Sequence, residues 1–343
     1  MKTKKQNADF LHIGEKILKW YENNSRELPW RKTKNPYKIW ICEIILQQTQ
    51  VKQGLEHYQN FIKRFPNAES LSRAETDDVL LYWKGLGYYS RALNLHKASR
   101  QITDDFRGKF PRKYEDVLKL KGVGKYTAAA ICSICFDEKL PAIDGNFYRV
   151  LSRIFADDFD ISQSSAFQYF SESALKIMPE KQPGNFNQAM MDLGSQICKP
   201  KNPDCGNCPI NKDCIAFETG TPTRFPVKIK KTKPTDLFLQ YYFVICGKKF
   251  LVRQRKDDFI WKKLYEFPTE IPEKFRENII ASKTLKHKLT HKNLTIQIDK
   301  VEINSSAEFE KFTREHGFSA LTFEESHRKS FPKPLENFLK ICF

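Results

Sequence analysis

The sequence predicts a mainly α-helical domain, residues 1–219, followed by a smaller mixed α and β domain, residues 237–343. Two observations predict this division. From about Phe10 to Thr219 the apolar residues recur at helical spacing, as in Ile39-Trp40 with Ile44-Ile45, Val79-Leu80-Trp83 and Leu151-Ile154-Phe155. Beyond Asp236 the pattern changes: Leu237 to Arg253 reads as two β-rich runs flanking Gly247-Lys248-Lys249, and Leu294 to Ile303 alternates with period two. Two further stretches there, Glu308 to Glu315 and Pro334 to Ile341, read as helices. Between the domains, residues 220–236 are rich in proline, threonine and lysine, which suits an extended basic connector.

The chain has 343 residues, enough for two domains that each bury a core. It carries 58 Lys and Arg against 41 Asp and Glu, a net charge of +17, and such an excess draws polyanions by Coulomb steering and counterion release. Nucleic acid is the first partner to consider, although a basic surface also serves solubility or a membrane surface. Met1 to Tyr21 is charged and amphipathic and lacks the continuous apolar stretch of a signal peptide, and no run elsewhere approaches a membrane span. With 9 cysteines and no export signal, the expected compartment is a reducing cytoplasm, where clustered cysteines serve as metal ligands more often than as disulfides.

Four of those cysteines, Cys198, Cys205, Cys208 and Cys214, form C-x6-C-x2-C-x5-C, a loop short enough to close around one centre. Structural zinc usually takes two separate C-x-x-C knuckles, whereas this loop has one, so a cubane cluster on four thiolates fits better than zinc or four unrelated buried thiols. A second C-x-x-C, Cys132 and Cys135, lies in an apolar run with no further pair nearby. It reads as small core thiols, as do Cys42, Cys246 and Cys342.

A helix-like run ending at Leu120 is followed by Gly122-Val123-Gly124 and then by a second helix former series from Lys125. Glycines there let the chain turn and bring backbone N–H groups to a helix start, where they can hold a phosphate, with Lys125 adding charge. The plain alternative is an ordinary helix-to-helix turn. No strand precedes it and the Walker lysine and serine are missing, which disfavours a nucleotide-binding loop.

Two carboxylates stand out. Glu43 has apolar neighbours on both sides, and burial there would raise its pKa and suit it to donate a proton. Asp144 lies in a loop between apolar segments. Taken singly, Glu43 reads equally as an exposed helix residue and Asp144 as a helix cap. Taken together, they supply a proton donor and an anion for cleaving a glycosidic bond.

The chain resembles the helix-hairpin-helix DNA glycosylases, and within them the MutY-type adenine glycosylases. The matching text is Leu28-Pro-Trp-Arg31, Glu43 with Leu46-Gln-Gln-Thr-Gln50, Gly85-Leu-Gly-Tyr-Tyr89, Leu120-Lys-Gly-Val-Gly124, Asp144-Gly-Asn146, Phe186-Asn-Gln-Ala-Met-Met-Asp-Leu-Gly194 and the cysteine loop. The likeness runs through residues 8–218 and continues more loosely to the end. It implies a helix-hairpin-helix glycosylase fold with an iron-sulfur cluster loop, a 4Fe-4S cluster on the four cysteines, and a Nudix-like C-terminal domain. The implied activity is base excision repair: hydrolysis of the N-glycosidic bond of adenine mispaired with 8-oxoguanine or guanine in duplex DNA. A monomeric, cytoplasmic and nucleoid-associated enzyme is expected.

The resemblance also implies roles. Glu43 protonates adenine N7 and later handles water; Asp144 stabilises the oxocarbenium-like sugar, with Asn146 orienting it, and the adenine is flipped into a pocket between helical subdomains. Gln48 and Tyr88 insert into the base stack, Thr49 and Leu86 lie beside them at the DNA, and Gly122, Gly124 and Lys125 hold the backbone. Arg26 and Arg31 stand near the site, Arg31 toward the catalytic glutamate or the adenine, and Lys199 and Lys201 meet phosphates. Position 126 is a lysine in lyase-competent relatives such as endonuclease III, where its amine forms a Schiff base. Here Tyr126 cannot, so a monofunctional hydrolase is expected, with Tyr126 hydrogen-bonding in the site.

In the C-terminal domain of this family a Phe-Ser-His loop reads the lesion. The corresponding text is Leu289, Thr290 and His291, with Thr290 and His291 the candidate contacts; the alternative is a plain polar loop between a helix and the strand beginning near Leu294. Trp261 to Pro268 reads as core packing. The Nudix hydrolase signature is missing, since Glu273 to Ile280 is too short for it, so this domain should bind and not hydrolyse. Two other readings stay open: a pyrimidine-lesion glycosylase with lyase activity, disfavoured by Tyr126, and a catalytically silent iron-sulfur DNA-binding protein, which requires Glu43 and Asp144 to lie far apart.

Overall fold

The computed structural model describes residues 10–229, 233–256 and 260–342, so part of the amphipathic N-terminus (1–9) and residues 230–232 of the expected connector lie outside the described residues. The chain divides into two compact units. Unit 1 lies within Met1–Arg73 and Asn94–Lys231; unit 2 lies within Ala74–Leu93 and Thr232–Phe343. None of the described helices is long and apolar enough to cross a membrane.

The helices are α1 (Leu11–Asn24), α2 (Pro36–Leu46), α3 (Val51–Arg64), α4 (Ala68–Ser72), α5 (Thr76–Tyr82), α6 (Ser90–Asp105), α7 (Tyr114–Lys119), α8 (Lys125–Phe136), α9 (Gly145–Ile154), α10 (Ala166–Ile177), α11 (Pro183–Gln196) and α12 (Ile215–Glu218). Among the described residues unit 1 has helices and no strand, as the spacing predicts. Its start and stop signals are local. Asn35 caps α2 by accepting from Lys38 N, Pro36 supplies a first-turn residue that needs no hydrogen bond, and Asp137 ends α8 in the left-handed region. Helix α2 is buried from Tyr37 to Ile45, so Glu43 goes inside with its neighbours. A second core joins α1, α9, α10 and α11 through Ile17, Phe147, Leu151, Phe170, Phe186 and Leu193, each worth about 1.5–3 kcal/mol of burial.

Besides α5 and the start of α6, unit 2 contains β1 (Thr235–Cys246), β2 (Lys249–Gln254), β3 (Tyr265–Glu266), β4 (Ile279–Lys288), β5 (Lys292–Glu302), α13 (Ser306–Glu315), β6 (Ser319–Thr322), α14 (Phe323–Ser326) and α15 (Lys333–Cys342). The strands order as β3-β2-β1-β5-β4, with β6 on β2. Pairing is antiparallel except for β1 with β5, whose register sets Tyr241 opposite Ile298. Period-two alternation sends Tyr241, Phe243, Phe250 and Val252 to one face, where α15 supplies Leu335, Phe338 and Leu339. Val244, Leu251 and Val301 go to the other, under Phe309 and Phe312 of α13.

Three expectations change. Residues 286–291 do not follow a helix: residues 286–288 end strand β4, and Leu289-Thr290-His291 is the tip of a β4–β5 hairpin, closed by Leu289 N donating to Lys292 O at 2.8 Å. Lysines fall on both faces of this strand, Lys283 on one and Lys286 and Lys288 on the other, which masks its period-two signal. The start of the connector is not simply extended; buried Arg153 donates to the carbonyls of Pro222 and Phe225, and Ile161 N donates to Val227 O. Cys42 and Cys132 are buried core thiols, but Cys135, Cys246 and Cys342 are only half-buried.

Candidate active site

Helix α2 brings Glu43 into unit 1 and helix α9 starts at Asp144. Both line one cleft of about 340 Å³, together with Arg26, Trp30, Arg31, Gln48, Tyr126 and others. Glu43 is 9% exposed, and burial pushes its carboxyl up to about 7, opposed by a hydrogen bond from Tyr126 and reinforced by the charge of Asp144. The Tyr126 hydroxyl donates to Glu43 Oε2 at 2.6 Å. Burial and the two carboxylates push the Tyr126 phenol well above its ordinary value, so it stays a donor.

Asp144 caps α9: Oδ1 accepts from Asn146 N and Phe147 N at 2.8 Å each, and Oδ2 accepts from Asn146 Nδ2 at 2.6 Å. Burial raises its carboxyl above the ordinary aspartate value, while those three donors and Arg149 oppose the rise. Donors and a helix N-terminus suit the anion. Asp144 is therefore a helix cap whose carboxyl also lines the cleft. The cleft thus holds one carboxyl near neutrality and one carboxylate fixed by N–H groups, the pairing that acid-base and cation stabilisation need.

Asn146 also accepts from Arg149 Nη2 at 2.7 Å, and Arg149 reaches on to the carbonyls of Gly194 and Cys198. One turn later, Arg153 donates to Cys198 Sγ at 3.2 Å and to Lys199 O at 2.8 Å. Helix α9 thus carries the aspartate at its start and two arginines that grip the cysteine loop. Gly194 makes this approach feasible: a Cβ there would lie 2.5 Å from Asn146 Cβ.

The four cysteines line one small cavity of about 20 Å³, walled by Val150, Ile154 and Leu193. None is in a disulfide. Burial and the neighbouring thiols push Cys208 up to about 12, so this thiol ionises only against a strong positive charge. Among the described residues no three His, Cys, Asp or Glu side chains stand close enough to hold a single metal ion.

Arg26 and Arg31 converge on Asp192 rather than on Glu43. Arg26 Nε donates to Oδ1 at 2.9 Å, and Arg31 Nη1 and Nη2 donate to Oδ2 and Oδ1 at 2.5 and 2.7 Å. The Arg31 guanidinium lies 5.3 Å from the centroid of the Tyr21 ring, whose hydroxyl donates to Gln188 at 2.9 Å. Burial opposes ionisation of Asp192, but the two arginines outweigh it and hold the carboxyl below the ordinary aspartate value. Sequence reasoning missed Asp192, Arg149, Arg153 and Gln188; the lone carboxylate within Met190-Met191-Asp192-Leu193 was the available signal.

Gln48 lies exposed at the cleft mouth in the α2–α3 turn with Thr49, and its φ of 55° is a conformation that side-chain-bearing residues seldom adopt. Gly122, Gly124 and Lys125 form the turn between α7 and α8; Gly122 has φ +81° and leaves space that a Cβ would take from Asn94. Lys199 and Lys201 are exposed on the cysteine loop. In unit 2, Tyr88 is 47% exposed with φ 45°, Leu86 is buried beside it, and Thr290 and His291 are exposed at the hairpin tip.

Residues 41–174 match the model of the HhH-GPD superfamily base excision DNA repair protein, and residues 240–340 match the NUDIX domain. The adenine DNA glycosylase of Buchnera aphidicola subsp. Schizaphis graminum is 36% identical, across 96% of this chain and 98% of its own. The chain belongs to the adenine DNA glycosylase family. It is a base excision repair glycosylase with a helix-hairpin-helix fold and a Nudix-like C-terminal domain. A thermostable thymine-DNA glycosylase structure matches 61% of this chain and 96% of its own at TM-score 0.57 and 30% identity. A trapped endonuclease III–DNA covalent intermediate, at 20% identity and TM-score 0.53, shares the fold. Lysine chemistry at position 126 is not available to this member, which has Tyr126 there.

Proposed function

We propose that the protein is a monofunctional glycosylase that hydrolyses the N-glycosidic bond of adenine mispaired with 8-oxoguanine or guanine in duplex DNA. The observation that carries this reading is the shared cleft: Glu43, held near neutral pH, and Asp144, held by N–H donors, face one cavity with the Tyr126 hydroxyl on Glu43. An adenine extruded from the duplex enters the cleft, Glu43 gives its proton to the base nitrogen, and the cationic base leaves more easily. The Asp144 carboxylate stabilises the oxocarbenium-like sugar, Asn146 keeps that carboxylate oriented, and Glu43, now ionised, takes a proton from the attacking water. No amine stands at position 126, so no Schiff base forms and the product is an abasic site.

Gln48 and Tyr88 open the stack, with Thr49 beside Gln48 and buried Leu86 packed under the Tyr88 turn; the α7–α8 turn with Gly122, Gly124 and Lys125, together with Lys199, holds phosphates. Thr290 and His291, at the hairpin tip, read the lesion. Cys198, Cys205, Cys208 and Cys214 fit a 4Fe-4S cluster, because several irons let four thiolates share one group without meeting at one ion. When bound, the cluster cross-links the loop that carries Lys199. The protein acts as a cytoplasmic, nucleoid-associated monomer, with domains at 1–219 and 237–343 of which the first lends residues 74–93 to the compact unit of the second.

The test is strand cleavage after alkali on duplexes that differ only in the base opposite adenine. Cleavage with 8-oxoguanine and guanine but not with thymine, and no borohydride-trapped adduct, is expected; a stoichiometric adduct would replace this reading with a lyase. An iron and sulfide count decides the metal, and zinc instead of iron would overturn the cluster assignment.

A further inference from the structure

Unit 2 joins two stretches far apart in sequence: Ala74–Leu93 and the C-terminal residues. Their junction is polar and centred on one carboxylate. Asp77, in the first turn of α5, accepts from Gln254 Nε2 on Oδ1 at 2.9 Å, and from Tyr265 Oη and Lys329 Nζ on Oδ2 at 2.8 Å each. The donors come from β2, β3 and the segment after α14, and the Lys329 ammonium also lies 4.8 Å from the Tyr265 ring centroid. A second link joins Lys84 Nζ to Glu336 of α15 at 3.4 Å. The far end of the same segment carries Tyr88, whose hydroxyl hydrogen-bonds to that of Thr290 at the β4–β5 hairpin tip.

Between these points the turn is held from within. Trp83 Nε1 donates to Gly87 O at 3.0 Å, Arg91 Nη2 donates to Leu86 O at 3.2 Å, and the Arg91 guanidinium lies over the Trp83 and Tyr88 rings at 5.2 and 5.6 Å. A displacement at Asp77 is therefore passed to Tyr88 through a helix of under two turns and a braced turn, not through slack chain.

We infer that Asp77 is a positioning residue that clasps the Tyr88 segment to the C-terminal unit, so that the stack-opening tyrosine and the lesion-reading hairpin move as one element. This deepens the proposed function and rests on its assignment of Tyr88 and Thr290 to DNA. Contact between Thr290 and the lesion then stabilises Tyr88 in the stack, and the clasp is the specificity-determining connection between them. Asp77 itself touches neither base nor sugar.

The test compares wild type with Asp77→Asn and Asp77→Ala in single-turnover excision of adenine opposite 8-oxoguanine and opposite guanine. The ratio of the two rates is expected to fall about fivefold or more in Asp77→Ala, and less in Asp77→Asn, with the guanine substrate losing no more than about twofold. The effect of Asp77→Ala should be non-additive with that of Thr290→Ala, since both cut one connection; a purely structural loss would be additive and equal on both substrates. Hydrogen exchange of the free protein gives a reading that needs no substrate: amides of residues 83–93 should exchange faster in Asp77→Ala, with α9 and α11 unchanged. An unchanged ratio or unchanged exchange at 83–93 overturns the clasp. If wild type shows no preference for 8-oxoguanine, the lesion-reading assignment fails, and the exchange result alone decides whether Asp77 holds the segment.

Discussion

The hydroxyl of Tyr126 donates to Oε2 of Glu43 across 2.6 Å, although the two residues stand 83 positions apart. This bond favours the ionised glutamate, while burial, the larger influence, favours the protonated one. The balance leaves the carboxyl at about 7, where a group can both give and take a proton.

Excision therefore depends on pH in a stated direction. Single-turnover rates should fall as pH rises through about 7, because the protonated form of Glu43 is lost. Removing the Tyr126 bond by Tyr126→Phe removes an influence that lowers the Glu43 pKa, so the fall should move to higher pH. Glu43→Gln should lose about 10²–10⁴-fold or more in rate while duplex binding, read by gel shift, survives. A pH profile that stays flat from 6 to 9 would remove Glu43 from the acid role.

The same carboxyl carries a stability cost. Its pKa stands at about 7 in the folded chain against an ordinary 4.5, so both states keep the proton below 4.5. As pH rises through 7 the folded chain gives up a proton it holds more tightly than the unfolded chain does, and the favourable contribution disappears. That loss is on the order of 3 kcal/mol. Glu43→Gln is expected to be more stable than wild type at pH 8 by up to about that amount, with the gap closing toward pH 5, measured by denaturant midpoint. A gap independent of pH would contradict the shift.

Asp192 is fully buried and neutralises two arginines. Asp192→Asn leaves Arg26 and Arg31 without a counter-charge and should cost about 3–5 kcal/mol of stability. Because the folded pKa lies below the ordinary value, the wild-type contribution is present above pH 3.8 and is lost as pH falls through the depressed pKa. The difference between the two proteins, followed by denaturation from pH 3 to 7, should therefore grow as pH rises and then level off.

Gly194→Ala puts a methyl 2.5 Å from Asn146 Cβ, a contact that helices α9 and α11 relieve only by separating. The expected cost is about 1–3 kcal/mol of stability. Excision should fall by more than thermal stability explains, because Asn146 and the Asp144 carboxylate are displaced together. Unchanged kcat in a destabilised variant would detach Asn146 from the reaction.

Much of this protein is legible along the chain. The helix start at Asp144 follows from a cap that acts over three residues, and the change from helical to period-two spacing divides the helical from the sheet-bearing text. Glu43 is legible as buried because α2 is apolar on every side; the alternative of an exposed helix residue does not hold. Asp144 was readable both as a cap and as a catalytic anion; it caps α9 and faces the cleft, as the proposed role requires.

Partnership over long separations was decided by the tertiary structure. Nothing near Asp192 announces Arg26 and Arg31, 166 and 161 residues away, and nothing near Asp77 announces Lys329, 252 residues away. Strand β4 was hidden by lysines on both of its faces, and Leu289-Thr290-His291 becomes a hairpin tip only once β4 pairs with β5. The physical reason is the range of the forces: propensity, capping and periodicity are set by near neighbours in the chain. The partner of a buried charge is set by whichever group the packed core brings within hydrogen-bonding distance.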